Sequence, residues 1–508
     1  MELIVNRQPI FINENMLDTA IEQPVECDVL LPENNPDIAK ILKCTLNPVV
    51  TSTQVQGGRL VVEGEGQVAV HYLSQHKRLC RSDYKVPFSR VLELRGDPSC
   101  PVVNAQATGN YINCRMVNNR RLDIRGAATI RLKMMNVKEE NPIASAEGMG
   151  VQLRKTTRPA TRILCQVTKG FTVCEELELT SGKGAAVCIL RVDACPKLLD
   201  SKVVAGKAIL RGELLVHLLY QTEQGGCDTM DYTIPMSHMV DVDGADEQCV
   251  CDVRLDVKNV DIEPHSDKDG DARLLRFEAL VCATIRVHRS YEMMCAGDCY
   301  STKYECNYQT KTVNTLYLAE VVNRNFVYKD KLDLPEGVNR VADLWCNLLS
   351  SDVHMDGNQA VLTGKLNVAL FGENNEGELD YFDKVVDFEE RQPLPENCNE
   401  PMFTPELKVQ SCNFATTGAQ IELRCEICLN GSLYGVSKMP VVSEIAVDPH
   451  KEKAANVSKG LYVYLADEGE GLWDIAKRYN TSVERIMEDN DLHADCTTDR
   501  TMLLIPVL

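Results

Sequence analysis

Residues 41–92 align without a gap to residues 189–240, at a constant offset of 148. Ile41 and Leu42 meet Ile189 and Leu190, Gly58 meets Gly206, and Gly64-Glu65 meets Gly212-Glu213. Tyr72, Tyr84, Pro87 and Ser89 meet Tyr220, Tyr232, Pro235 and Ser237. Further on, ATIRL (128–132) meets ATIRV (283–287), the extra residues falling in EPHSDKDGD (263–271), a polar loop that lengthens at small entropic cost. A weaker third copy pairs LPENNPDIAKIL (31–42) with LPEGVNRVADLW (334–345). In that copy VEGEGQVAV (62–70) also meets LTGKLNVAL (362–370), and LDIRG (122–126) meets IELRC (421–425). Self-similarity at a fixed period means one structural unit used repeatedly, so the fold must be solved once and then copied. The expected division is 1–150, 151–308 and a divergent 309–447, then a polar linker at 448–460 and a small final domain at 461–508.

Within a unit the pattern is mostly β. AILRGELLVHLLY (208–220), LTGKLNVALF (362–371) and RLDIRGAATIRLKM (121–134) alternate or run apolar with β-branched residues, and Gly, Asn and Asp clusters bound them. Gly64, Gly212 and Gly364 recur inside such strands, the mark of a bulge or a close backbone approach. Pro36 sets the first turn of one expected short helix, running to Leu42. The fold class is therefore multidomain and mainly β, with three repeated β-rich units. Alternation alone does not separate a sandwich from a barrel.

The final forty-eight residues break the repeat. A short apolar run at Leu461 to Leu465 precedes two helical patterns and a closing run, LLIPVL, at 503–508. Leu472, Ile475, Ala476 and Tyr479 make one helical stripe, and Val483, Ile486 and Met487 make another. Thr481 followed by Glu484 fits a capping box at the second helix. This βααβ order resembles a LysM domain, the resemblance being carried by Gly469, Glu470, Leu472, Trp473, Ile475, Ala476, Tyr479, Asn490, Ile505 and Pro506. The resemblance implies a module that in most members binds N-acetylglucosamine polymers.

Charge and cysteine content narrow the function. A formal net charge of −20 argues against a nucleic-acid partner, which needs Lys and Arg to displace counterions. The N-terminal stretch has neither a basic region nor an uninterrupted apolar core, and no run is long and apolar enough to span a bilayer. An unexported protein without a membrane span is therefore expected, and its 22 cysteines are read as free thiols. Cys425 and Cys428 form a CxxC within a strand pattern, where residues three apart face opposite ways, so neither a metal site nor a redox pair is expected there. Cys249/Cys251 and Cys295/Cys299 lack a second ligand pair at metal spacing.

No catalytic constellation emerges. The glycine-rich pieces at Gly64–Gly66 and Gly469–Gly471 have no lysine to make a phosphate loop. His71 and His217 stand at different registers after their equivalent glycines, and Glu389-Glu390 and Asp467-Glu468 read as solvated loop charges. The expectation is no enzyme, no catalytic residue, no metal and no cofactor.

The repeated units resemble the SPOCS domain of spore-coat assembly proteins, through LPENNPDIAKIL, the strands around Gly64 and Gly212, and the Tyr-x-x-Pro of Tyr84–Pro87 and Tyr232–Pro235. Three such units before a LysM domain are similar to a family of spore-coat morphogenetic proteins from endospore-forming clostridia. That resemblance implies a scaffold in the mother-cell cytoplasm at the forespore surface. Its LysM domain would dock onto the coat's morphogenetic ATPase, with other coat proteins as further partners. The alternative is a peptidoglycan-binding protein of cortex or cell wall.

Two features weigh toward protein. Gly471 stands where a sugar-binding loop offers a hydroxyl, and residues 461–508 hold ten acidic against four basic side chains, a net of −6 that steers a basic partner. The candidate partner-binding residues are Glu470, Trp473 and Lys477, the last two sharing a helix face. Trp473 has two readings, burial against the second helix or an aromatic anchor for a partner.

Overall fold

A computed structural model describes residues 2–266, 272–453 and 461–506. The first unit holds β1 (Ile4–Arg7), β2 (Ile10–Leu30), β3 (Ile38–Gln56), β4 (Arg59–Ser74), β5 (Leu79–Glu93), β6 (Pro101–Asn118), β7 (Arg121–Glu140) and β8 (Ile143–Glu147). The second holds β9 (Val151–Glu178), β10 (Ala186–Val204), β11 (Lys207–Thr222), β12 (Cys227–Asp241), β13 (Val250–His265) and β14 (Leu274–Ser301). The third holds β15 (Tyr304–Asp333), β16 (Arg340–Asp356), β17 (Gln359–Glu373), β18 (Leu379–Pro393), β19 (Met402–Phe403), β20 (Glu406–Thr417) and β21 (Gln420–Glu452). The last module is β22 (Leu461–Ala466), α1 (Leu472–Tyr479), α2 (Val483–Asp489) and β23 (Thr501–Pro506).

Strand order repeats three times. One sheet is a meander, β3-β4-β5, β10-β11-β12 or β16-β17-β18. The other places the last long strand between the first and the fifth, as β2-β7-β6, β9-β14-β13, and β15-β21 with β20. The two inner faces pack against each other in each unit. Val68, Val70 and Tyr72 of β4 pack with Leu122 and Ile124 of β7, Leu214 to Tyr220 of β11 with Leu275 and Phe277 of β14, and Leu366 to Leu370 of β17 with Leu423 and Ile427 of β21. Period-two alternation supplies these faces. Each unit is thus a sandwich of six long strands; the third adds the two-residue β19 beside β21, and β1 pairs with β8 outside the first sandwich.

The recurrent glycines have a common cause. Gly64, Gly212 and Gly364 lie on the middle strand beside a bulge in its neighbour, at Val50/Ser52, Leu198/Asp200 and Leu348/Ser350. A Cβ there would collide with the carbonyl oxygens of Val49, Lys197 and Ser350. Only glycine lets the bulged backbone approach so closely.

Two sequence expectations fail. Pro36 to Leu42 is not a helix: after a turn in which Asn35 N donates to Pro32 O at 2.9 Å, Ile38 opens β3, opposite Ser74 and 2% exposed in the core. Strand pairing and burial of the β-branched Ile38 and Ile41 override the local helical preference. The expected polar linker from 448 is also partly strand, since β21 runs to Glu452 and pairs Asp448 with Glu305. Residues 454–460 of that segment, and 267–271 of the long loop, lie outside the described residues. Cys425 is fully buried on the core face of β21 and Cys428 lies on its other side, as the CxxC geometry requires.

The sandwiches close on one another rather than forming separate beads. The first meets the second through Gln67 Nε2 to Lys258 O at 2.8 Å and Gln166 Nε2 to Val103 O at 2.6 Å. The second meets the third through Arg191 and Asp343 at 2.8 Å and Ser432 Oγ to Asp252 at 2.6 Å. The third returns to the first through Lys43–Asp383 at 2.8 Å and Lys40–Asp380 at 2.9 Å. All three contribute to two shared cores, one around Leu79, Leu219 and Trp345, the other around Ile10, Met293 and Val441. His71 Nε2 donates to Leu190 O at 2.9 Å, and His217 bridges Asp231 and Asp343, so both are parts of these joints. Among the described residues no helix is long and apolar enough to cross a membrane.

Candidate docking site on the C-terminal module

The module's core follows its sequence pattern. Leu472, Ile475 and Ala476 of α1, Ile486 of α2, and Leu503 and Ile505 of β23 are buried together with Ala466. Tyr462 and Tyr464 of β22 pack their rings on Tyr479, at 5.3 and 5.8 Å between centroids. Asn490 ties the end of α2 to the last strand. Its amide donates to Ile486 O and Leu504 O, both at 2.7 Å, and its oxygen accepts from Leu504 N at 2.6 Å.

The cap of α2 differs from the expected box. Asn480 takes the left-handed conformation and ends α1, which draws Thr481 into the interior at 0% exposure. Ser482 then becomes the cap, accepting from Arg485 N at 3.3 Å. Gly471 caps α1 with extended backbone and no side-chain bond, as its lack of a hydroxyl dictates.

The structure brings two of the three candidate residues together and sets the third apart. Trp473 is 9% exposed, in one core with Ile486 of α2, and its ring meets Tyr300 of β14 edge-on at 5.0 Å. Its Nε1 donates to Asp298 Oδ2 at 2.8 Å. Lys477 Nζ reaches both Asp298 oxygens at 2.7 and 2.8 Å, and Tyr308 OH donates to Oδ1 at 2.6 Å. Burial opposes charge on Asp298, but Lys477, Tyr308 and Trp473 outweigh it and hold the carboxyl below the usual range. Tyr300 OH donates to Thr481 O at 2.7 Å, and Lys453 Nζ spans Asn480 Oδ1 and Ser301 O at 2.6 and 2.8 Å. Glu470 instead closes its own loop, accepting from Tyr464 OH at 2.7 Å and Asp467 N at 3.2 Å. Trp473 and Lys477 therefore seat the module on β14 of the second sandwich and the start of β15 of the third.

Asp298, Tyr300 and Tyr308 went unread in the sequence. The available signal was Gly297, a glycine inside a strand pattern, which marks the register shift between Ala296 and Asp298 that aims the carboxylate at the module.

The opposite side of the module is open. Leu461, Val463 and Leu465 of β22 and Met502 and Leu504 of β23 share the outer face of a two-stranded sheet, with Val463 opposite Leu504 and Leu465 opposite Met502. They range from 37% exposed at Leu504 to 65% at Met502. Among the described residues no helix covers this face, because both helices lie on the other. A contiguous exposed apolar patch is a recognition feature rather than ordinary surface. Its signal was the run LYVYLA, apolar on both alternating faces while only one could meet the helices.

Repeated six-stranded sandwiches leading into a βααβ module define a multidomain β protein of the SPOCS–LysM class. Residues 37–117 and 188–264 match the family model described as SipL, SPOCS domain, and residues 467–498 match the LysM domain. The first two matches cover equivalent strands, β3 to β6 and β10 to β13. The chain thus carries two SipL-type SPOCS segments ahead of a C-terminal LysM domain, which matches a SipL-like description. It is accordingly a sporulation-related protein that carries a module of the peptidoglycan-binding type. Comparison with curated proteins and with solved structures gives no match.

Proposed function

We propose that the chain is a non-enzymatic scaffold of spore-coat assembly, acting in the mother-cell cytoplasm at the forespore surface. Its LysM domain docks onto a protein partner, the coat's morphogenetic ATPase. The observation that carries this reading is the open apolar face of Leu461, Val463, Leu465, Met502 and Leu504. These apolar side chains lack the hydrogen-bonding groups that a hydroxyl-rich polysaccharide engages, and they suit the apolar core of a protein interface. The module's net charge of −6 supplies the polar surroundings for a partner with a basic rim. The closed ring of sandwiches supplies a rigid body on which further coat proteins can assemble.

A second reading is N-acetylglucosamine binding, supported by the LysM match itself. Pull-down of the ATPase by the full chain, compared with Val463→Asp and Met502→Asp variants, separates the two. Loss of capture with both variants supports docking through the sheet face. Undiminished capture removes that surface from the account, and saturable binding of N-acetylglucosamine oligomers favours the glycan reading.

A further inference from the structure

In each sandwich the second and fifth strands are edge strands of different sheets that run side by side without a shared ladder. Two of the three sandwiches place a thiol pair across that seam. In the third, Cys346 of β16 and Cys412 of β20 stand with their sulfurs 3.5 Å apart. In the first, Cys44 of β3 and Cys114 of β6 occupy the equivalent, adjacent strands and share one core. The second sandwich has no such pair, because Cys195 of β10 turns away to donate to Val409 O at 3.5 Å.

We propose that Cys44–Cys114 and Cys346–Cys412 are oxidation sites that form two equivalent intramolecular disulfides, each stapling the open seam of its sandwich. Each pair combines one buried thiol, Cys44 or Cys346, with one half-buried thiol, Cys114 or Cys412. The half-buried member meets the oxidant and the buried member resolves. With a low-molecular-weight disulfide as oxidant, the thiolate of Cys114 attacks one oxidant sulfur and forms a mixed disulfide, expelling a thiolate. Cys44 then attacks the Cys114 sulfur and expels the second thiolate. The protein loses two electrons and two protons, which leave as two molecules of low-molecular-weight thiol. The neighbouring Cys44 thiol holds the Cys114 thiol below its usual range, which suits the first attack. In the third sandwich Cys346 lowers Cys412, but Cys425 and burial together push it up to about 12, so that pair reacts more slowly. Cys425, fully buried beside Cys346 and Cys412, is the competing thiol in the third sandwich.

The test is to treat the folded full chain with oxidised glutathione, block remaining thiols under denaturing conditions, and map the peptides. The expected result is loss of four of the 22 free thiols, with Cys44–Cys114 and Cys346–Cys412 peptides linked and Cys195 still free. Cys44→Ser and Cys346→Ser should each stop at glutathione bound to Cys114 or Cys412. Persistence of all 22 thiols, links between copies, or a Cys346–Cys425 link in place of Cys346–Cys412 would overturn the proposal. The wild-type map decides the matter even where a variant fails to fold.

Discussion

The indole N–H of Trp473 donates to the carboxylate of Asp298 at 2.8 Å, across the boundary between the LysM module and the second sandwich. The most prominent aromatic of the module is thereby spent inside the chain. Its helix face holds the module in place and turns the uncovered sheet outward.

Asp298→Ala should loosen this seat. It removes the shared acceptor of Trp473, Lys477 and Tyr308, a loss of about 2 kcal/mol for charge-assisted bonds. The chain has two tryptophans, and Trp345 is buried far from the module among the sandwiches. Tryptophan emission should therefore shift red in Asp298→Ala through Trp473 alone, and amide exchange should rise in α1. An unchanged spectrum in the folded variant would contradict the seat.

Each recurrent glycine should be intolerant of a methyl group. Gly64→Ala, Gly212→Ala and Gly364→Ala force a Cβ against the carbonyl of the neighbouring bulge, at about 1–3 kcal/mol each. Chemical denaturation of the three variants measures this directly. Near-neutral changes at all three would mean that the bulges relax freely.

The joint between the second and third sandwiches should depend on a buried ion pair. Arg191 and Asp343 are 7% and 1% exposed in their side chains, with His217 also bonded to Asp343. Asp343→Ala strips Arg191 and His217 of their buried carboxylate, leaving Arg191 only its exposed partner Asp193, and should cost about 3 kcal/mol. The double variant Arg191→Met, Asp343→Leu should cost less, and denaturation of the set gives the coupling.

Acid should weaken the ring. Burial holds His71 and His288 neutral, with pKa values lowered from 6.5 to about 4. The unfolded chain then binds protons that the folded chain does not, so stability falls as pH drops from 6.5 toward 4, on the order of 2–3 kcal/mol per histidine. His217 acts oppositely. Burial disfavours its charge, but hydrogen bonds to Asp231 and Asp343 raise its pKa to about 9, so its contribution is complete below 6.5 and is lost as pH rises through 9. Denaturation midpoints across pH 4 to 10 check both signs, with His71→Gln expected to flatten the acid limb.

Much of this architecture was legible in the chain. The offset of 148 announced a copied unit, alternation announced strands, and the in-strand glycines announced bulges. What the sequence concealed lies between units. Residues such as Asp298 and Tyr300 look like ordinary strand positions until a partner arrives from nearly two hundred positions away. Pro36 misled because a proline-led segment reads alike at the start of a helix or after a turn, and only pairing with β4 decides. Trp473 read either as packed on the second helix or as an anchor for a partner protein, and nothing in the sequence named Asp298 or Tyr300.

The most direct test is to titrate the full chain with the purified morphogenetic ATPase and, separately, with an N-acetylglucosamine oligomer, each against wild type and Val463→Asp. The expected result is saturable ATPase binding that falls at least tenfold in Val463→Asp, with no saturable oligomer binding. Saturable oligomer binding together with ATPase affinity indifferent to Val463 would contradict the account.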